Sequence, residues 1–167
     1  MQTPKKIIDG IATLSEELKT DLKFELEQQG HKDTGNLINS IHYDIVKENG
    51  NIVVVFSYLD YGKDMNDGIK AANVKRLAGI DLKTLEDWAA RKGFKNPKWA
   101  AIRINQKHLK EGMPTKNSFK FSKNGRRTGW QDHVLKEHKK QMPSKLQQKI
   151  INPLSAYFFD MLKNVKI

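Results

Sequence analysis

The chain has 167 residues, no cysteine and a formal net charge of +11 at pH 7. That length holds one domain with a core, or a domain plus an extended arm, and the missing cysteines exclude disulfides and thiolate metal sites and fit a reducing compartment. Residues 1–60 carry a net −4 and residues 61–167 a net +15, so the second part favours acidic partners, among them the acidic front of another copy.

No continuous apolar run follows residues 1–6, so neither a signal peptide nor a membrane span is expected. Ile7, Ile8, Ile11, Leu14, Leu18, Leu22 and Leu26 recur at steps of three or four, which predicts an amphipathic helix over 6–29. Phe24 falls off that stripe and Glu25 on it, so the last turn bends or meets a different neighbour. Gly30 is a natural stop. The segment Asp33-Thr34-Gly35-Asn36-Leu37-Ile38-Asn39-Ser40-Ile41 then joins the helix to a strand pair. Asp33 and Thr34 can cap a short helical turn, and Gly35 relieves backbone strain.

Apolar residues alternate with polar ones over 41–45, as in a strand with one buried face. Asn49-Gly50 signals a hairpin, and the following strand, 52–59, is apolar on both faces. Such a strand needs cover on two sides: this chain's helices on one, and on the other something that can be a second subunit. Periodicity dissolves over about 60–79, which reads as a mobile or functional loop. A helix pair follows. Asp81 caps the first, through Leu82, Leu85, Trp88 and Ala89 to Gly93; Asn96 and Pro97 open the second, with Trp99, Ile102, Gln106 and Leu109 on its apolar face and Gly112 with Pro114 at its end.

Residues 116–128 hold Lys116, Lys120, Lys123, Arg126 and Arg127 and no acid. Phe119 and Phe121 alternate with polar residues before Asn124-Gly125, predicting a basic hairpin arm over about 115–130. Three readings stand: a nucleic-acid contact in which cations meet phosphate and aromatics stack on bases, an arm docking on an acidic neighbour, or a solvated hairpin tucking its Phe residues into the core. Ser144 with Gln147 resembles a capping box opening a last helix through Leu146, Ile150 and Ile151, which Pro153 kinks or restarts before Leu154, Tyr157, Phe158, Met161, Leu162 and Val165.

Chemistry-bearing patterns are absent. His31, His42, His108, His133 and His138 form no metal-binding spacing, and His133 and His138 read as solvated helix residues. Asp60, Asp64 and Asp67 lack the alternation and terminal glutamate of a calcium loop. There is neither a nucleophile elbow nor a phosphate-binding glycine loop. The expectation is a protein without catalytic site, metal or cofactor.

The order helix, Asp-Thr-Gly-x-Leu-x-x-Ser-Ile, strand, Asn-Gly turn and strand ending in Tyr-x-x-Tyr-Gly resembles the head–tail joining, or tail-completion, proteins of tailed bacteriophages. The match is carried by Thr34, Gly35, Leu37, Ser40 and Ile41, then Tyr58, Tyr61 and Gly62. The helix with Leu82, Leu85 and Trp88, followed by Trp99 to Gly112, also looks like a helical insertion of some members. The resemblance implies a virion protein made in the host bacterial cytoplasm, a ring of copies in the neck, portal, adaptor and tail proteins as partners, possible DNA contact and no membrane. A strand apolar on both faces suits the heterologous contacts of such a ring. The expected fold is a single α+β domain over 1–167: a small, mainly antiparallel sheet packed by a long N-terminal helix, a middle helix pair and a C-terminal helix. The alternative function is a basic DNA- or RNA-binding module acting through residues 116–127.

Overall fold

The computed structural model of the protein describes residues 5–76 and 81–156. The fold is α+β, with helices and, among the described residues, one two-stranded antiparallel sheet. In chain order the elements are α1 (Lys5–Gln28), α2 (Asn36–Ser40), β1 (His42–Glu48), β2 (Asn51–Ser57), α3 (Tyr61–Asp67), α4 (Ala71–Arg76), α5 (Leu82–Arg91), α6 (Pro97–Glu111), a 3₁₀ helix (Lys116–Phe121), α7 (Trp130–Leu146) and a π-helical turn (Gln147–Ile151). The chain, expected as one domain, groups into two compact units. One is drawn from the described parts of 1–24, 41–58 and 131–167, the other from 25–40 and 59–130.

In the first unit the hairpin has the register Tyr43↔Phe56, Ile45↔Val54 and Val46↔Val53. Tyr43 anchors one sheet face to α1. Its hydroxyl donates to the Ala12 carbonyl at 3.2 Å, and Lys19 Nζ lies 5.4 Å from its ring centroid. Helix α7 runs along α1, where Glu17 pairs with Lys145 at 3.1 Å and Lys149 at 3.5 Å. Burial of Leu22, Ile41 and Val134 supplies the apolar contribution, on the order of 1.5–3 kcal/mol for each large side chain.

The second unit buries Leu26, Leu37, Ile38, Val74, Leu85, Ala89, Ala100, Ala101 and Trp130. Both helices of the middle pair start as expected: Asp81 Oδ1 accepts from the Lys83 amide at 3.0 Å, and Asn96 Oδ1 from the Trp99 amide at 3.0 Å. The buried face of α6 differs from the expectation. Ala100 and Ala101 lie inside, whereas Trp99 and Ile102 are exposed and Leu109 is half-buried. Small residues allow close helix approach, and the large apolar ones are turned outward.

The expected loop over 60–79 contains α3 and α4; residues 77–80 lie outside the described residues. These helices are too short to stand on propensity and are held by tertiary bonds. Trp130 Nε1 donates to the Gly62 carbonyl at 3.0 Å, the Gly129 amide donates to the Asn66 carbonyl at 2.7 Å, and Val74 is buried.

The expected hairpin arm over 115–130 is a 3₁₀ helix followed by turns. Ser122 Oγ accepts from the Asn124 amide at 3.3 Å and the Arg126 amide at 3.1 Å, and Asn124 Oδ1 also accepts from Arg126. Side chains thus satisfy backbone donors that a partner strand would otherwise take. The expected last helix begins earlier too. Helix α7 runs from Trp130 through Pro143, and Ser144 Oγ donates back to the Gln141 carbonyl at 2.9 Å as an interior residue. Residues 157–167, with Tyr157, Phe158, Met161, Leu162 and Val165, lie outside the described residues.

Candidate functional site

Helix α1 closes in a hydrogen-bonded reversal at Gly30, with the His31 amide on the Leu26 carbonyl at 2.9 Å and the Gly30 amide on the Glu27 carbonyl at 3.0 Å. Gly30 has φ +73°, and a Cβ there would meet the Phe121 carbonyl oxygen at 2.7 Å and Arg127 Nη1 at 2.8 Å. The backbone of the basic segment therefore passes directly over the end of α1. Next, Asp33 receives Arg91 at 2.5 Å and Lys92 at 3.4 Å. The Arg91 hydrogen bond holds its carboxyl below the usual range, against a smaller opposing effect of burial. Gly35, at φ +83°, turns the chain into α2, where a side chain would be strained.

The motif residues gather around α2. Ser40 Oγ donates to the Leu37 carbonyl at 2.8 Å and accepts from the Leu59 amide at 3.1 Å. It joins the chain before β1 to the chain after β2. Tyr61 makes a hydrogen bond to the Leu37 backbone, and burial pushes its phenol up. Gly62 is buried and offers its carbonyl to Trp130. Leu37 is buried in the second unit; Ile41 is buried and Tyr58 half-buried in the first. Thr34 is exposed, with its hydroxyl 3.4 Å from the Asn36 amide. The segment is a junction with no reactive group in it.

The hairpin presents two unlike faces. Tyr43, Ile45, Ile52, Val54 and Phe56 share the face on which Tyr43 meets α1, and all are half-buried. The opposite face carries Val46, Val53 and Val55 among His42, Asp44 and Glu48. Val46 is 40% exposed and Val55 43%. Among the described residues β1 and β2 pair with one another alone. The doubly apolar strand expected from the sequence is present, and on the second face of the hairpin Val46 and Val55 are exposed while Val53 is half-buried.

Of the basic segment, Lys116, Phe119, Lys120, Phe121 and Lys123 are exposed, Phe121 by 68%. Lys120 Nζ lies 5.1 Å from the Phe121 ring centroid. The two arginines turn to α1. Arg126 lies 3.7 Å from the buried carboxylate of Glu25, which also accepts from Gln29 and Asn124 at 2.9 Å. Arg127 donates to the Gln29 carbonyl at 2.6 Å. Glu25, the residue out of place on the α1 stripe, is the centre of this network. The two arginines of the expected arm are thus engaged within the chain.

Histidine placement departs from the sequence reading. His138 is buried and its Nε2 donates to Asp21 Oδ2 at 2.7 Å, so it is a packing residue of the first unit. His31 Nε2 donates to the Arg127 carbonyl at 3.2 Å; burial, then the nearby Arg127 charge, lowers its pKa to about 4. Neither was legible, because each partner is some 100 residues distant in sequence. An open groove of about 700 Å³ along α1 is lined by Ala12, Thr13, Glu16, Thr20, Tyr43 and Lys145. Among the described residues no three His, Asp or Glu side chains are grouped to hold a metal, and no described helix is long and apolar enough to cross a membrane.

No protein-family model, curated protein or solved structure matches the chain.

Proposed function

We propose that the protein is a non-enzymatic subunit of the head–tail junction of a tailed bacteriophage, a tail-completion or connector protein that forms a ring between portal or adaptor and tail. The observation that carries this reading is the valine face of the hairpin. A two-stranded sheet is marginal by itself, and a face with Val46 and Val55 exposed and Val53 half-buried, on strands that among the described residues pair only with one another, invites a neighbouring subunit. Burying what remains exposed of them on assembly contributes on the order of 1 kcal/mol each, and strand addition supplies backbone hydrogen bonds as well.

The motif junction supports the same reading. Of the residues that carry the resemblance to tail-completion proteins, Ser40 bonds with both Leu37 and Leu59, so that the segment before β1 is tied to the segment after β2. In this reading the hairpin makes the contact. Charge contributes less than the sequence split implies, because Glu16, Glu17, Asp21, Glu25 and Glu27 of α1 already have partners within the chain.

Loss of the gene in the parent phage tests the proposal. The expected outcome is DNA-filled heads and separate, complete tails, joined on addition of the purified wild-type chain. Addition of Val55→Asp protein, folded but carrying a charge on the valine face, leaves them apart. Normal infectious particles in the absence of the gene would contradict it.

A further inference from the structure

Helix α6 exposes an apolar and basic half. Lys98, Trp99, Ile102, Arg103, Gln106, Lys107 and Lys110 fall within one side of the helix at 100° per residue, and all are exposed. Ala100 and Ala101 mark the buried side. Trp99 is 60% exposed and stands near the middle of the outer half. Arg103 lies 5.5 Å from its ring centroid. Glu111, the one acid of α6, sits beyond this half, where its Oε2 accepts the Lys116 amide at 3.1 Å. Among the described residues none of the four cations makes an ion pair; Lys98 and Lys110 are separated by about 18 Å along the axis.

We propose that this face of α6 binds single-stranded nucleic acid, with Trp99 stacking on a base and Lys98, Arg103, Lys107 and Lys110 neutralising phosphates on either side. The pattern is a cationic track around an exposed ring, which is the arrangement that single strands use. A protein partner fits less well: lysine is depleted in protein interfaces, and among the described residues five of the six α1 acids of another copy, all but Asp9, already have partners within their chain. A duplex offers phosphates but no free base face for Trp99. The site is separate from residues 116–127 and stands apart from the assembly reading, since it concerns the isolated chain.

The test is fluorescence anisotropy of a labelled oligo-dT strand with the purified full chain, titrated between about 50 and 200 mM salt. Four phosphate contacts predict a log–log salt slope of roughly −3. Trp99→Ala is expected to weaken binding roughly five- to hundredfold. The pair Lys107→Gln/Lys110→Gln reduces the slope by about one unit or a little more. The triple variant Lys116→Gln/Lys120→Gln/Lys123→Gln, outside the proposed site, leaves both unchanged. All these side chains are exposed, and an unaltered melting temperature confirms that each variant folds. Three results would each overturn the proposal: no binding at about 50 mM salt, binding indifferent to Trp99 and the α6 lysines, or equal or tighter binding of a duplex or of polyglutamate.

Discussion

Ser40 Oγ accepts the amide hydrogen of Leu59 at 3.1 Å while donating to the Leu37 carbonyl at 2.8 Å. One hydroxyl thereby joins the short helix before the hairpin to the chain that leaves it. The contact explains why a serine is useful at the end of α2, just before β1 begins. A donor and an acceptor are both needed there, and alanine provides neither.

Ser40→Ala leaves the Leu59 amide without this acceptor and is expected to cost about 1 kcal/mol. Urea denaturation followed by circular dichroism measures it. Ser40→Thr retains the hydroxyl and is expected to recover part of the loss.

Gly30→Ala and Gly35→Ala separate two reasons for a glycine. Both positions have positive φ, at +73° and +83°, which costs an alanine roughly 1–2 kcal/mol. At Gly35 the nearest atom to an added Cβ is Asn39 Nδ2 at 3.5 Å, an ordinary contact. At Gly30 the added Cβ also strikes the Phe121 carbonyl oxygen and Arg127. Gly30→Ala is therefore expected to be the more destabilising, by more than about 2 kcal/mol. Paired urea midpoints decide the order.

His31 gives the fold an acid-side weakness. Its ring is held neutral by burial, with a folded pKa of about 4 against an ordinary 6.5. The unfolded chain therefore binds the proton first as pH falls. Stability is full above about pH 6.5 and is lost progressively between 6.5 and 4. His31→Gln is expected to flatten the fall in urea midpoint between pH 7 and 5. The slope that remains belongs in part to His108, whose pKa is also lowered by burial. An unchanged slope in the variant would contradict this assignment.

Much of the architecture was legible where one element carries its own signal. The α1 stripe, the Asn49-Gly50 turn and the caps at Asp81 and Asn96 act over a few residues, and each appears as read. Failures came where distant groups decide. Residues 61–76 have the composition of a loop, but Trp130 and Gly129 hold α3 through Gly62 and Asn66. Phe119 and Phe121 alternate like a strand, yet Ser122 and Asn124 satisfy the backbone locally. On α6 the sequence stripe marked Trp99 and Ile102 as inward, because periodicity locates an apolar face without saying which face the small residues will claim. The valine face of β2 was legible as a doubly apolar strand; which of its faces carries the exposed valines required the register.

The central claim is that the Val46, Val53 and Val55 face is a subunit contact in the phage neck. A cryo-EM reconstruction of the neck of the parent particle tests it most directly. The expected map contains a ring of this chain with that face buried against the neighbouring subunit. A ring in which the three valines face solvent, or a mature particle that lacks the chain, would contradict the account.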